Sequence, residues 1–329
     1  MVRSEHPGLT SSSFNPNGNF GLGFYSVFMI ADFVQIITKE IIPGAYTLVL
    51  EFNNGIFGNS IFRKAVKNEE RIESGTLIRI RTKEEKFSER LFRHISRRND
   101  ITVADPLSFA CSSIAPSLAE NLTTSCQNGP KQVIVRGDDW KSINSVDLLM
   151  RISGISMSEG KDQRIQRLFY ISDFVRPIYR KSNHSEEMIA RATILKRLPV
   201  NNDYSGRGIV SVGGLTQSIL NRFPGIWVGR NEVASRSTAA PICTYEEVYQ
   251  WLLEQYELIA SASKLSEEEL IEAAILLCSF GVSCKKLPIA KTSSGWRTYE
   301  ELVAANHGDH VFVRFMIREN ERSSKILPV

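Results

Sequence analysis

A chain of 329 residues with 42% hydrophobic and 23% charged side chains has ordinary globular composition, which excludes a disordered, collagenous or disulfide-scaffold protein and suits two domains or three. Forty Lys and Arg against 36 Asp and Glu leave a formal charge of +4, too little over this length to mark a nucleic-acid or membrane partner by electrostatics alone. Five cysteines, Cys111, Cys126, Cys243, Cys278 and Cys284, form no C-x-x-C pair, so neither a disulfide framework nor a zinc knuckle is expected and a reducing cytoplasm is the simplest location.

The amino-terminal residues have no apolar core of the signal-peptide kind, and residues up to Asn19 are polar, Ser-rich and punctuated by Gly, Asn and Pro, which predicts a loop. The longest apolar run, residues 24–34, is interrupted by Ser26 and Asp32 and is too short to span a bilayer, so no membrane contact is expected. Residues 21–33, GLGFYSVFMIADF, predict a helix apolar on nearly every side and therefore buried. Four β-rich runs follow at 33–40, 45–52, 59–66 and 76–84, parted by Pro43-Gly44, Asn53-Asn54-Gly55 and Ser74-Gly75, and they predict an antiparallel meander. Residues 86–98 are helical by pattern, with Phe87, Leu91 and Ile95 on one face and Arg90, Arg93, Arg97 and Arg98 on the rest. With Glu84, Glu85 and Glu89 beside them, these arginines read as a solvated face, with nucleic-acid binding the minority alternative.

The domain organisation predicted is a first unit over 1–100, a linker over 101–130 holding one short helix, and an α/β region over 131–329. Within that region 132–137 predicts a strand, 146–154 a helix, 167–179 an apolar-rich unit, 208–214 a strand and 215–223 a helix. Three capping boxes, Thr244 with Glu247, Ser266 with Glu269 and Thr298 with Glu301, announce helices, and 311–319 alternates as a strand. Trp227, Trp251, Tyr245, Tyr249 and Tyr256 recur at spacings near three and four, which predicts core. His307 and His310 form an H-x-x-H without further ligands and read as a turn, so no metal site is expected. The overall class is α+β.

The segment that carries chemistry is Gly18-Asn19-Phe20-Gly21-Leu22-Gly23-Phe24-Tyr25-Ser26. Clustered glycines let several backbone N–H groups converge on an anion, and a following helix adds its positive end, so phosphate is the natural guest. A Rossmann reading fails, because no strand precedes the glycines, and no G-K-[ST] is present for a Walker loop.

Residues 18–40 resemble the third nucleotide-binding box of the ninety-kilodalton heat-shock chaperone family, whose ATP-binding domain is of the Bergerat, or GHKL, type. The order of later pieces is similar: in that family the box leads into a buried helix, antiparallel strands and a Gly-Thr strand ending in a charged helix, the place taken here by Gly75-Thr76 and the residues after it. The resemblance covers about residues 15–98. It implies an α+β fold in which 1–100 is the lid and sheet portion of the ATP-binding domain, with a middle-like domain to follow. It also implies that Gly18, Phe20, Gly21, Gly23 and Phe24 close over the ATP phosphates and that Thr76 sits near the adenine. Asn231-Glu232-Val233-Ala234-Ser235-Arg236 is similar to the family's middle-domain loop, which would make Arg236 the catalytic cation at the γ-phosphate.

The sequence departs from the family in two places. The superfamily's Glu-x-x-x-Asn helix and Asp-x-Gly-x-Gly loop are not present; no Asp or Glu is followed four residues later by Asn, and Asp203-Tyr-Ser-Gly206-Arg-Gly208 has one residue too many and reads as a turn. The general base and the magnesium-binding asparagine therefore have no candidates. The expectation is a carboxy-terminal piece of a longer ATPase whose full-length parent is open to homodimerisation, engaging magnesium only if the other half is supplied and unable to hydrolyse ATP alone. The alternatives are a non-catalytic protein-interaction chain whose partner or client the sequence does not name and, behind it, a nucleic-acid binder.

Overall fold

The computed structural model describes residues 27–29, 31–53, 58, 60–82, 106–125, 130–153, 163–181, 185–195, 208–220, 222–232, 238–292 and 295–304. The chain divides into two compact units, Met1–Asn99 and Asp100–Val329, each with its own mixture of helix and sheet or turn and sheet.

In the first unit a 3-10 turn, Val27–Met29, leads into β1 (Ala31–Lys39), followed by β2 (Leu48–Asn53), β3 (Ser60–Lys64) and β4 (Gly75–Thr82). All pairs are antiparallel and the order is β3-β2-β1-β4. The four expected strands therefore exist, but they are not a simple meander, because β4 returns past β3 to pair with β1. The expected helix over 21–33 also stops short. β1 begins at Ala31, and residues 21–26 lie outside the described residues. The reason is position in the sheet: β1 is flanked on both edges, so its backbone groups pair with two neighbours, and Ala31, Val34, Gln35 and Ile37 are buried on alternating faces.

The second unit is built on a mixed sheet of β7 (Arg176–Lys181), β8 (Glu186–Ala192), β9 (Gly208–Val212), β10 (Leu215–Leu220), β11 (Gly225–Asn231) and β12 (Ala239–Pro241). Its order is β10-β9-β11-β8-β7, with β12 attached to β11. Only β9 and β11 run parallel among these pairs. Two antiparallel hairpins stand apart, β5 (Leu122–Thr124) with β6 (Gln132–Val135) and β13 (Pro288–Thr292) with β14 (Gly295–Thr298). The described helices are α1 (Pro106–Ile114), α2 (Ser145–Ser153), α3 (Gln163–Ser172), α4 (Tyr245–Ala260), α5 (Glu267–Ser279) and α6 (Tyr299–Ala304).

Two expectations change here. Of residues 215–223, read as a helix, Leu215–Leu220 form β10, because Gly213 and Gly214 adopt φ of +59° and +84° and reverse the chain into a hairpin with β9. Part of the expected linker is packed structure: α1 and β5 belong to this unit, Ser117 and Ser211 share a buried hydroxyl hydrogen bond of 2.6 Å, and the Thr216 hydroxyl donates to Ser113 O at 2.9 Å.

The three capping boxes all form. Thr244, Ser266 and Thr298 each receive the N–H of the Glu three residues on, at 3.3, 3.4 and 3.1 Å, and each Glu accepts the backbone N–H of its cap at 2.7, 2.9 and 2.8 Å. α4 and α5 then bury Leu252, Ile259 and Leu277 against Ile189 and Ile226 of the sheet. Phe223, Trp227 and Trp251 meet at centroid distances of 5.5–6.0 Å in the same core. Tyr256 is buried as expected, but Tyr245 is 56% exposed and stacks on Tyr249 at 5.9 Å. Among the described residues no helix is long and apolar enough to cross a membrane.

Candidate functional site

The register of the first sheet sorts its side chains into two faces, since residues opposite one another across a ladder share a face. Val34 lies opposite Phe52 and Ile80, Ile36 opposite Leu50 and Ile78, and Leu50 opposite Phe62. Thr38 and Thr76 extend the same face at one end. This face is apolar and only partly covered. Phe28 of the 3-10 turn packs edge-on against Phe52 at 5.3 Å and shields Val34, whereas Phe62, Ile78 and Ile80 are 69%, 54% and 46% exposed. Thr76 stands at its open end, its hydroxyl 3.0 Å from that of Thr38, which also reaches Gly75 O at 3.3 Å.

The opposite face buries Ile37 against Val49 and beside them carries a polar network closed on itself. Arg63 from β3 donates to Glu70 Oε2 at 2.7 Å and to Glu51 at 2.9 Å, and the Glu70 carboxylate also accepts the backbone N–H groups of Val66 and Lys67 at 3.1 and 3.2 Å. Gln35 donates to Glu51 at 2.7 Å and accepts from Arg79 at 3.1 Å. The Arg63 hydrogen bond, with those from Val66 and Lys67, holds the Glu70 carboxyl down at about 2 despite its burial. A carboxylate so committed takes up no proton near neutrality, so this network shapes the sheet rather than serving as a general base.

In the second unit a cleft of about 510 Å³ lies between β7 and α4, rimmed by Tyr179, Lys181, Glu186, Glu246, Gln250 and Glu254. Three of its carboxylates have partners: Glu247 pairs with Arg180 at 3.0 Å, Glu254 with Arg176 at 3.3 Å, and Glu246 accepts from Gln250 at 2.8 Å. Among the described residues there is no group of three or more His, Cys, Asp and Glu arranged to hold a metal ion.

Of the ATP-site and catalytic residues expected from the sequence, only Thr76 falls in described structure. Gly18, Phe20, Gly21, Gly23, Phe24 and Arg236 lie outside it, as do His307, His310, the arginine-rich segment 86–98 and the strand expected at 311–319. The network of Gln35, Glu51, Arg63, Glu70 and Arg79 escaped sequence reading because its members come from four strands and a turn. Its one visible signal was charge within strand-like runs, at Glu51, Arg63 and Arg79. Neither a family model nor a curated protein matches the sequence.

Proposed function

We propose that this chain is a chaperone-like ATP-binding protein of the ninety-kilodalton heat-shock type. Residues 1–100 contribute the lid and sheet portion of a Bergerat-type ATP-binding domain, residues 131–329 a middle-like region, and the chain alone does not hydrolyse ATP at a useful rate. The observation that supports this best is the sheet itself. The strand that follows the glycine box, β1, lies centrally between β2 and the Gly75-Thr76 strand, β4, and the face they share is apolar and open at Phe62, Ile78 and Ile80. Such a face is built to be covered, and Thr76 at its end shares it with the strand that leads out of the box.

The chemistry follows from what the residues offer. Backbone N–H groups between Gly18 and Gly23 donate to phosphate oxygens. Hydrolysis needs in addition a positioned base for water and a group that holds magnesium between phosphate oxygens, and the sequence has neither the Glu-x-x-x-Asn nor the Asp-x-Gly-x-Gly that would supply them and the adenine contact. An adenine amino group left unpaired costs roughly 1–3 kcal/mol, about ten- to a hundredfold in affinity. Titration calorimetry with ATP, paired with a phosphate-release assay, tests the reading. Weak binding lost in Gly21→Ala, without magnesium-dependent phosphate release, is expected. Robust turnover by the chain alone, abolished by Gly21→Ala, overturns the non-hydrolysing part. No nucleotide binding at millimolar ATP overturns the whole reading and leaves the non-catalytic protein-interaction role, which the open apolar face also favours.

A further inference from the structure

At the end of α5 the chain doubles back. The Gly281 N–H donates to Cys278 O at 3.0 Å and the Val282 N–H to Leu277 O at 3.1 Å, with Gly281 at φ +80°, a helix-terminating reversal. Residues 282–284 thereby run beside the last turns of the helix, and Cys284 Sγ lies 3.9 Å from Ala274 O and 3.5 Å from Val282 O. Cys278 is one turn beyond Ala274 on the same helical face and its side chain leans back toward the amino terminus. The Cys284 thiol, set against the carbonyl of Ala274, therefore lies on the side of the helix to which Cys278 belongs. The arrangement is held from outside as well: Leu287 N–H donates to Cys284 O at 3.3 Å, and Lys286 N–H to the Tyr256 hydroxyl at 3.2 Å.

The members of the pair differ. Cys278 is exposed, and Cys284 is only 4% exposed; both are free thiols. The neighbouring Cys284 draws the Cys278 thiol down to about 7, and the neighbouring Cys278 together with burial pushes the Cys284 thiol up. An accessible thiolate beside a buried, protonated thiol is the arrangement of an attacking and a resolving cysteine.

We propose that Cys278 and Cys284 form a dithiol site for low-molecular-weight disulfides and close to an intramolecular disulfide by two successive exchanges. The Cys278 thiolate attacks one sulfur of RS–SR, forming a Cys278–SR bond and expelling RS⁻. That thiolate takes the Cys284 proton. Cys284 sulfur then attacks the Cys278 sulfur and breaks the bond to SR, and the second RS⁻ leaves, to be protonated by solvent. The protein gives up two hydrogens as two electrons and two protons, and RS–SR is reduced to two thiols. The product ties the last turn of α5 to the loop entering β13.

The test uses the full chain and oxidised glutathione. Cleavage after Lys264 and Lys285 releases residues 265–285, a peptide holding both cysteines and no other Lys or Arg, so closure reads as the loss of two hydrogens from one peptide, restored by dithiothreitol. Cys284→Ser is expected to stop at a glutathione adduct on Cys278, and Cys278→Ser to leave Cys284 unmodified. The exposed Cys278 position makes Cys278→Ser the safe variant, and it decides alone if Cys284→Ser does not fold. In Cys284→Ala, alkylation of Cys278 by iodoacetamide near pH 7 should slow about threefold, the gain in thiolate fraction being partly offset by the lower nucleophilicity of a lower-pKa thiol. A wild-type peptide that stays unmodified or holds glutathione without closing, a Cys284 that reacts in Cys278→Ser, or an alkylation rate indifferent to residue 284 overturns the proposal.

Discussion

Replacing Gln255 by Leu isolates what a buried polar side chain does for the second unit. Gln255 is fully buried on α4 and bridges three segments: its Nε2 donates to Phe174 O at 2.9 Å, and its Oε1 accepts from Ile194 N–H at 3.3 Å and from the Thr193 hydroxyl at 3.4 Å. Leu nearly conserves the volume, so the loss is not that of a cavity. It leaves a carbonyl and an N–H buried without partners, at about 1–3 kcal/mol each, against a gain of about 1–2 kcal/mol from burying an aliphatic group instead of an amide. At about 2 kcal/mol for each orphaned group and about 1.5 kcal/mol for the gain, the net expectation is a destabilisation of about 2–3 kcal/mol, or a fall in Tm of about 4–12 °C for a unit of this size. Thermal unfolding followed by tryptophan fluorescence measures it, because Trp227 and Trp251 lie in the same core. Leu252→Ala, three residues away and equally buried, is the apolar comparison at about 2–5 kcal/mol. A Gln255→Leu protein as stable as the wild type would refute the claim that these three hydrogen bonds are needed where the helix crosses the ends of the sheet.

Glu70 predicts an acid sensitivity of the first unit: with the folded-state carboxyl at about 2 against an ordinary 4.5, its stabilisation is complete above about pH 4.5 and is lost as pH falls toward 2. Amide exchange of β1 and β2 at about pH 3 and about pH 6 should show this difference in the wild type and a smaller one in Glu70→Gln. Phe62→Ser combined with Ile78→Thr should reduce self-association measured by light scattering, since both side chains stand on the open apolar face; unchanged association would mean that the face is not sticky. Gly225→Ala should cost about 2–3 kcal/mol in a denaturant titration, because its Cβ would lie 2.3 Å from Arg191 O and 2.4 Å from Ala192 Cβ and force β11 from β8.

Local chemistry was legible where neighbours in sequence are also neighbours in space. Each capping box needs only four consecutive residues, so Thr244, Ser266 and Thr298 announced α4, α5 and α6 from the sequence alone, and alternation with Gly, Asn and Pro punctuation located β1 to β4. The misreadings share a cause. Leu215, Ile219, Leu220 and Phe223 fit a helical stripe as well as a strand, and only the Gly213-Gly214 reversal against β9 selected the strand; residues 31–33 continued a helical pattern until pairing with β2 and β4 claimed them for β1. The glycine-rich segment 18–26 and the lack of a Glu-x-x-x-Asn pair are likewise read from the sequence by itself. Strand order, the parallel β9–β11 pair, the Arg63–Glu70 network, the Gln255 bridge and the meeting of Cys278 with Cys284 were decided by tertiary structure. Each depends on which distant backbone closes a ladder or turns back on a helix, and no sequence spacing encodes that choice, because the free energy that makes it is released only when the apolar faces on both sides are buried together.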